Sequence, residues 1–162
     1  MSIGTITRRN DVLPLDRVND EIVKRTEFLA FKLGDESFAV RISCITEIMK
    51  PLPITEVPRA SAEVVGVMSV RGRLVTVVDL RPRFGLPARP TGRLSRILLV
   101  DVGLEEIVGL VVDEVREVVR LADTEIEPPS ALGGEQPPHI LGVGRPGGEV
   151  LVLLDLLPLL GV

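Results

Sequence analysis

Two aspartates stand at matching places, Asp79 in RLVTVVDLRP and Asp155 in EVLVLLDLLP, each closing an apolar run and each followed by Leu-x-Pro. Paired carboxylates can act as general acid and base, so a small β-barrel ligand binder or hydrolase using Asp79 and Asp155 is one reading. The other is architectural: an Asp accepts backbone N–H groups where a strand gives way to a turn or helix, with Pro tolerated in the first turn. A single structural cause accounts for both copies, and this reading is preferred. Other candidates for chemistry are thinner. GVGRPG, residues 142–147, matches G-x-G-x-x-G, but the strand-like EVLVLLDL follows where a phosphate site needs a helix N-terminus, so a hairpin turn is expected. The single histidine, His139, reads as a loop residue, because no strained nucleophile turn of the G-x-S-x-G kind accompanies it. Cys44 is the sole cysteine, which excludes an internal disulfide and a cysteine metal cluster, and it reads as a small packed side chain. No catalytic group, metal or cofactor is expected.

Arg59, Arg71, Arg73, Arg81 and Arg83 crowd one quarter of the chain. A solvated face is the plain reading. Nucleic acid is not an expected partner, since the net charge is −4 and Trp and Tyr are absent. Arg71 differs from its neighbours: it sits in the Val70–Gly72 turn, where the backbone can hold a long side chain in one direction and make it an interface anchor.

The elements that position these residues are short. With 45% apolar residues and 26% charged ones, the 162-residue chain can bury a core. That core must be built from Val, Leu and Ile, because Phe occurs only four times. EFLAFKLGDESFAVRI reads as two strands joined at Gly34-Asp35. SCITEIMKP reads as a helix, with Ser43 as N-cap, Ile45, Ile48 and Met49 on one face, and Pro51 as the stop. Residues 1–26 form an arm, either flexible or a short docking helix carrying Leu15, Val18 and Ile22 at helical spacing. No apolar stretch has the length of a signal peptide or of a membrane span, so a cytoplasmic protein without direct membrane insertion is expected.

GVMSVRGRLVTVVDLRPRFG, from Gly66, aligns without a gap on GVGRPGGEVLVLLDLLPLLG, from Gly142. Upstream, VRISCITEI lies over LVVDEVREV, placing Glu47 on Glu117, and continuing that pairing places Pro58 on Pro128. Such self-similarity predicts two related β subdomains.

The segments EFLAFKLGDESFAVRISCITEIMK, GVMSVRGRLVTVVDLRPRFG, VGLVVDEVREVV and VLLDL together resemble the CheW-like family of chemotaxis coupling proteins, over residues 27–162. The resemblance implies a mainly β fold of two packed five-stranded SH3-like barrels with a few short helices. It further implies a non-enzymatic adaptor with two partners: the cytoplasmic tip of a methyl-accepting chemoreceptor and the regulatory domain of a CheA-type histidine kinase. Receptor-coupling positions of the family fall on Ile45, Glu47, Gly66 and Arg71. Ser69 stands where the family usually has Asn, and with Gly72, Asp79 and Asp155 it is assigned to structural corners.

Overall fold

The computed structural model describes residues 17–18, 21–103, 105–133 and 139–160. Twelve strands run in chain order: β1 Arg17–Val18, β2 Glu21–Ile22, β3 Arg25–Leu33, β4 Glu36–Arg41, β5 Ile45–Met49, β6 Val64–Val70, β7 Arg73–Val78, β8 Arg96–Asp101, β9 Ile107–Val112, β10 Glu114–Ala122, β11 Ile140–Gly144 and β12 Leu151–Leu154. Among the described residues the one α-helix, α1, is Leu156–Leu159. Within residues 1–26, β1 and β2 pair antiparallel, with Val18 opposite Glu21. Leu15 lies outside the described residues.

The main strands form two five-stranded sheets, ordered β10-β3-β4-β12-β11 and β5-β8-β9-β7-β6. The second is contiguous in sequence and is termed the central barrel; the first gathers both ends of the chain and is the terminal barrel. The expected duplication is present, but the copies are interlocked. β3 to β7 form one copy and β8 to β12 the other, and each copy gives its leading pair of strands to one barrel and its remaining three to the other. Exchanging the copies turns one strand order into the other. The parallel pairs β12–β4 and β7–β9 correspond in the same way.

This interlocking explains the long apolar runs. β3 is buried on both faces: Phe28 and Ala30 fill the terminal barrel, while Leu29, Phe31 and Leu33 pack between the barrels. β8 divides likewise, with Ile97 and Leu99 inside the central barrel and Leu98 and Val100 between the two. A strand with two buried faces has no polar alternation to show.

SCITEIM is not a helix. Ile42–Cys44 makes a single 3₁₀ turn and Ile45–Met49 is β5. A bulge between Ile45 and Glu47 places an extra residue opposite β8, so the strand changes face. Ile45 packs on the inter-barrel core and Met49 on the central-barrel core. β10 repeats the device, with a bulge between Val115 and Val118 and the same division of Val115 and Val119 between two cores. Cys44 is half-buried against the inter-barrel core.

His139 is not a loop residue on the surface. It is 6% exposed at the foot of β11, and its ring meets Phe84 edge-on at 5.3 Å. Its carbonyl accepts the Asp155 N–H at 2.8 Å, as the Glu63 carbonyl accepts the Asp79 N–H at 2.7 Å in the other copy. Burial, and then the nearby Arg83 charge, push the imidazole pKa down. The native state therefore takes up its proton later than the unfolded chain as pH falls. Stability should drop below about pH 6.5, the ordinary imidazole value. Urea unfolding at about pH 7.5 and pH 5.5 should show that loss in the parent and a smaller one in His139→Leu; equal losses would contradict the assignment.

Candidate functional site

The hairpin joining β6 to β7 turns through Arg71 and Gly72, at φ +50° and +82°. Two consecutive left-handed residues make the tight hairpin turn that favours Asn-Gly or Gly-Gly, because a Cβ there crowds the backbone. The other copy obeys this preference: Gly147 and Gly148 occupy the equivalent places at φ +66° and +87°. Arg71 thus keeps a side chain where its own repeat shows glycine to be sufficient.

That side chain is used. Arg71 Nη2 donates to Glu47 Oε2 at 2.7 Å, closing an ion pair between the hairpin tip and β5. The hydrogen bond from Arg71 holds the Glu47 carboxyl below the usual carboxylate range, and in return raises the guanidinium pKa. Glu47 reaches the tip because the bulge before it turns β5 toward the mouth of the central barrel. There the pair borders a cavity of about 330 Å³ floored by Val70, Val75, Leu99 and Ile107. The cavity is lined by central-barrel strands alone.

The other expected contact residues are placed differently. Ile45 lies two residues before Glu47, half-buried at the inter-barrel core. Gly66 is buried in β6, where an added Cβ would overlap the Thr55 carbonyl and lie 2.8 Å from Ile54 Cγ2. Its counterpart Gly142 meets the Glu127 carbonyl and Ile126 Cγ2 at 2.5 and 2.7 Å. This match sets Ile54-Thr55 on Ile126-Glu127, and corrects the pairing of Pro58 with Pro128.

Of the corner residues, Ser69 is in β6 opposite Leu74 and not at a corner, whereas Gly72 is in the turn itself. Asp79 Oδ1 accepts the Arg81 backbone N–H at 2.9 Å, and both its oxygens meet Arg81 Nη1 at 3.0 Å. Asp155 holds its corner through the backbone: its carbonyl accepts the Leu159 N–H at 3.3 Å, and its side chain makes no capping bond to α1.

Arg81 is the residue that sequence reasoning missed. Grouped with exposed arginines, it is in fact 2% exposed. Arg59, Arg71 and Arg73 are exposed, and Arg83 pairs with Glu63. Arg81 Nη2 meets Asp113 Oδ1, and Asp113 Oδ2 accepts the Gly34 N–H at 2.6 Å. Burial disfavours the charged guanidinium. The Asp113 hydrogen bond and the Asp79 and Asp113 charges outweigh it, so the pKa is raised. Asp113 is the single residue between β9 of the central barrel and β10 of the terminal one, and Gly34 is in the β3–β4 turn. The network therefore ties the barrels along one flank. On the opposite flank the equivalents of Arg81 and Asp113 are Leu157 and Ser43, with Leu157 and Ile42 exposed. The repeat offers no signal for the buried Arg81, because Leu157 opposite it is one of thirteen differences in the twenty aligned positions.

Among the described residues no group of three or more His, Cys, Asp or Glu is placed to hold a metal ion. No helix among them is long and apolar enough to cross a membrane. Two five-stranded barrels related by duplication define a paired SH3-like barrel protein. A family model described as the CheW-like domain matches residues 27–162, and the chain belongs to that family. The chemotaxis protein CheW of Helicobacter pylori is 31% identical over 136 residues, covering 84% of this chain and 80% of the relative. That of Rhizobium meliloti is 33% identical over 132 residues, covering 80% and 84%. The crystal structure of the scaffolding protein TtCheW from Thermoanaerobacter tengcongensis superposes with a TM-score of 0.77 at 28% identity, covering 85% of this chain and 94% of that one.

Proposed function

We propose that the protein is a non-enzymatic, cytoplasmic adaptor of chemotaxis signalling. It couples the cytoplasmic tip of a methyl-accepting chemoreceptor to the regulatory domain of a CheA-type histidine kinase. The observation that carries this reading is the family match along both barrels. It is joined by the fate of the one alternative: Asp79, the first carboxylate of a supposed acid–base pair, is occupied by a buried arginine.

The receptor tip, a helical hairpin, meets the flank that lacks the ionic tie. Ile42, Ile45 and Leu157 supply apolar contact there, and Glu47 with Arg71 sets register at its edge. Burial of about 1,200 Å² or less suits a transient contact. The kinase domain, carrying the same pair of barrels, takes a barrel end. Binding of one partner alters the other only through a difference in affinity between states of the shared body.

Arg71→Glu is expected to weaken association with a receptor cytoplasmic fragment about tenfold or more, since it sets two carboxylates against each other at the contact. Arg71→Gly should weaken it as well, yet unfold at an equal or higher urea concentration, because glycine relieves the left-handed turn. Retention of receptor binding by both well-folded variants would remove Arg71 from the interface.

A further inference from the structure

We propose that residues 87–94 keep this chain monomeric, and that its latent partner is a second copy of itself, taken up by reciprocal exchange of β3 to β7 for β8 to β12. The inference stands on topology and does not depend on the adaptor reading.

The contacts needed for such a pair are already in the fold. Four of the eight strand pairings in the two barrels, β10–β3, β4–β12, β5–β8 and β7–β9, join one copy to the other. The inter-barrel core is shared in the same way, with Leu29, Phe31 and Val40 from the first copy and Leu98, Val100 and Leu110 from the second. None of these contacts requires both copies to belong to one chain. Two chains that trade second copies rebuild every ladder and every core.

The connection between the copies decides which closure forms. β7 runs parallel to β9 and β9 antiparallel to β8, with Val78 opposite Leu110 and Arg96 opposite Val112. Val78 and Arg96 thus stand at one end of the central barrel, two strand spacings or about 10 Å apart. About three extended residues cover that distance. The chain instead spends residues 79–95 on a detour. It crosses to the terminal barrel, where Phe84 stacks on Phe38 at 4.8 Å and Leu86 joins the inter-barrel core. It then returns over residues 87–94, all of them exposed and outside any strand or helix. Asp113, where the chain passes from β9 to β10, lies within the detour. Arg81 holds one of its oxygens from the outgoing limb, and Arg89 stands 3.8 Å from the other on the return. The path therefore goes round the β9–β10 crossing, and residues 87–94 supply the length it needs.

A connection that spans its ends gives the joined copies an effective concentration on the order of mM, so self-closure prevails in dilute solution. One too short to span gives none, and pairing with a second chain takes its place. On the adaptor reading the exchanged pair presents two receptor flanks, each built from Ile42 and Ile45 of one chain and Leu157 of the other.

Glu27 and Arg120 are exposed and opposite each other on β3 and β10, one in each copy. In a Cys44→Ser background, Glu27→Cys with Arg120→Cys should form a disulfide within the full-length chain, but between chains in an exchanged pair. Deleting residues 87–94 should double the mass measured by light scattering, and oxidation should then yield a covalent dimer. Replacing the same residues by a Gly/Ser stretch of equal length should leave a monomer. Full-length protein refolded from urea at about 1 mM should contain covalent dimers, absent after refolding at micromolar concentration or after concentrating native protein without unfolding. A deletion chain that folds as a monomer, fails to fold, or forms a dimer whose cysteines close within each chain overturns the inference. Dimerisation of the Gly/Ser chain, or refolding at about 1 mM without covalent dimers, overturns it as well.

Discussion

Arg81→Leu is expected to destabilise the fold by about 3–5 kcal/mol, the range for removing one partner of a buried ion pair. The side chain is nearly inaccessible, and its removal leaves Asp79 and Asp113 facing each other at the junction of the barrels. The second copy of the repeat supplies a sharper test. At the equivalent places it has Asp155, Leu157 and Ser43, a set that folds without a cation. Arg81→Leu combined with Asp113→Ser reproduces that set, and should recover a large part of what the single change loses. Urea unfolding of the parent and both variants measures this. A double variant as unstable as Arg81→Leu alone would show that the copies are not interchangeable here, and would weaken the equivalence drawn between the flanks.

Gly66→Ala is expected to lower stability by about 1–3 kcal/mol or more through overpacking. The added methyl meets a backbone carbonyl, and that carbonyl cannot retreat easily: Thr55 and Val67 exchange two 2.8 Å hydrogen bonds at this point. Gly142→Ala should have a similar effect against Glu127, whose own exchange with Val143 spans 2.8 and 2.9 Å. Unfolding midpoints of the two variants, with receptor binding measured at a temperature where each remains folded, separate structure from contact. A Gly66→Ala protein of parental stability that had lost receptor binding would return Gly66 to the interface.

Much of this architecture was legible before any coordinates. Runs such as EFLAFKL and RILLVDV read as strands, and Asp79 as a capping corner, because burial and turn chemistry act within a few residues; at Asp155 the expected side-chain cap to α1 is not made. SCITEIM misled because a bulge lets one short strand serve two cores. Ile45 and Met49 then recur at a spacing that periodicity assigns to a helix, although Ile-Thr-x-Ile favours extended backbone. Arg81 was illegible for a different reason: its partner Asp113 is distant in the chain, and an arginine beside exposed arginines carries no local mark of burial. Likeness between segments announced the duplication, but likeness does not say which strands pair. The exchange between copies had to be seen. Of the site, Glu47 and Arg71 were named from resemblance, whereas the mouth they border depends on strands β6 to β9 converging, which no single segment encodes.

The exchange of strands between copies has a consequence for divisibility. A cut between β7 and β8 leaves two fragments, each holding three strands of one barrel and two of the other, so neither contains a complete core. Such half-chains are obliged to find each other, and a gene encoding one copy alone would yield a chain that completes its hydrogen-bond ladders only by marrying a twin. In the present chain the two copies are joined by residues 79–95 and complete each other's barrels.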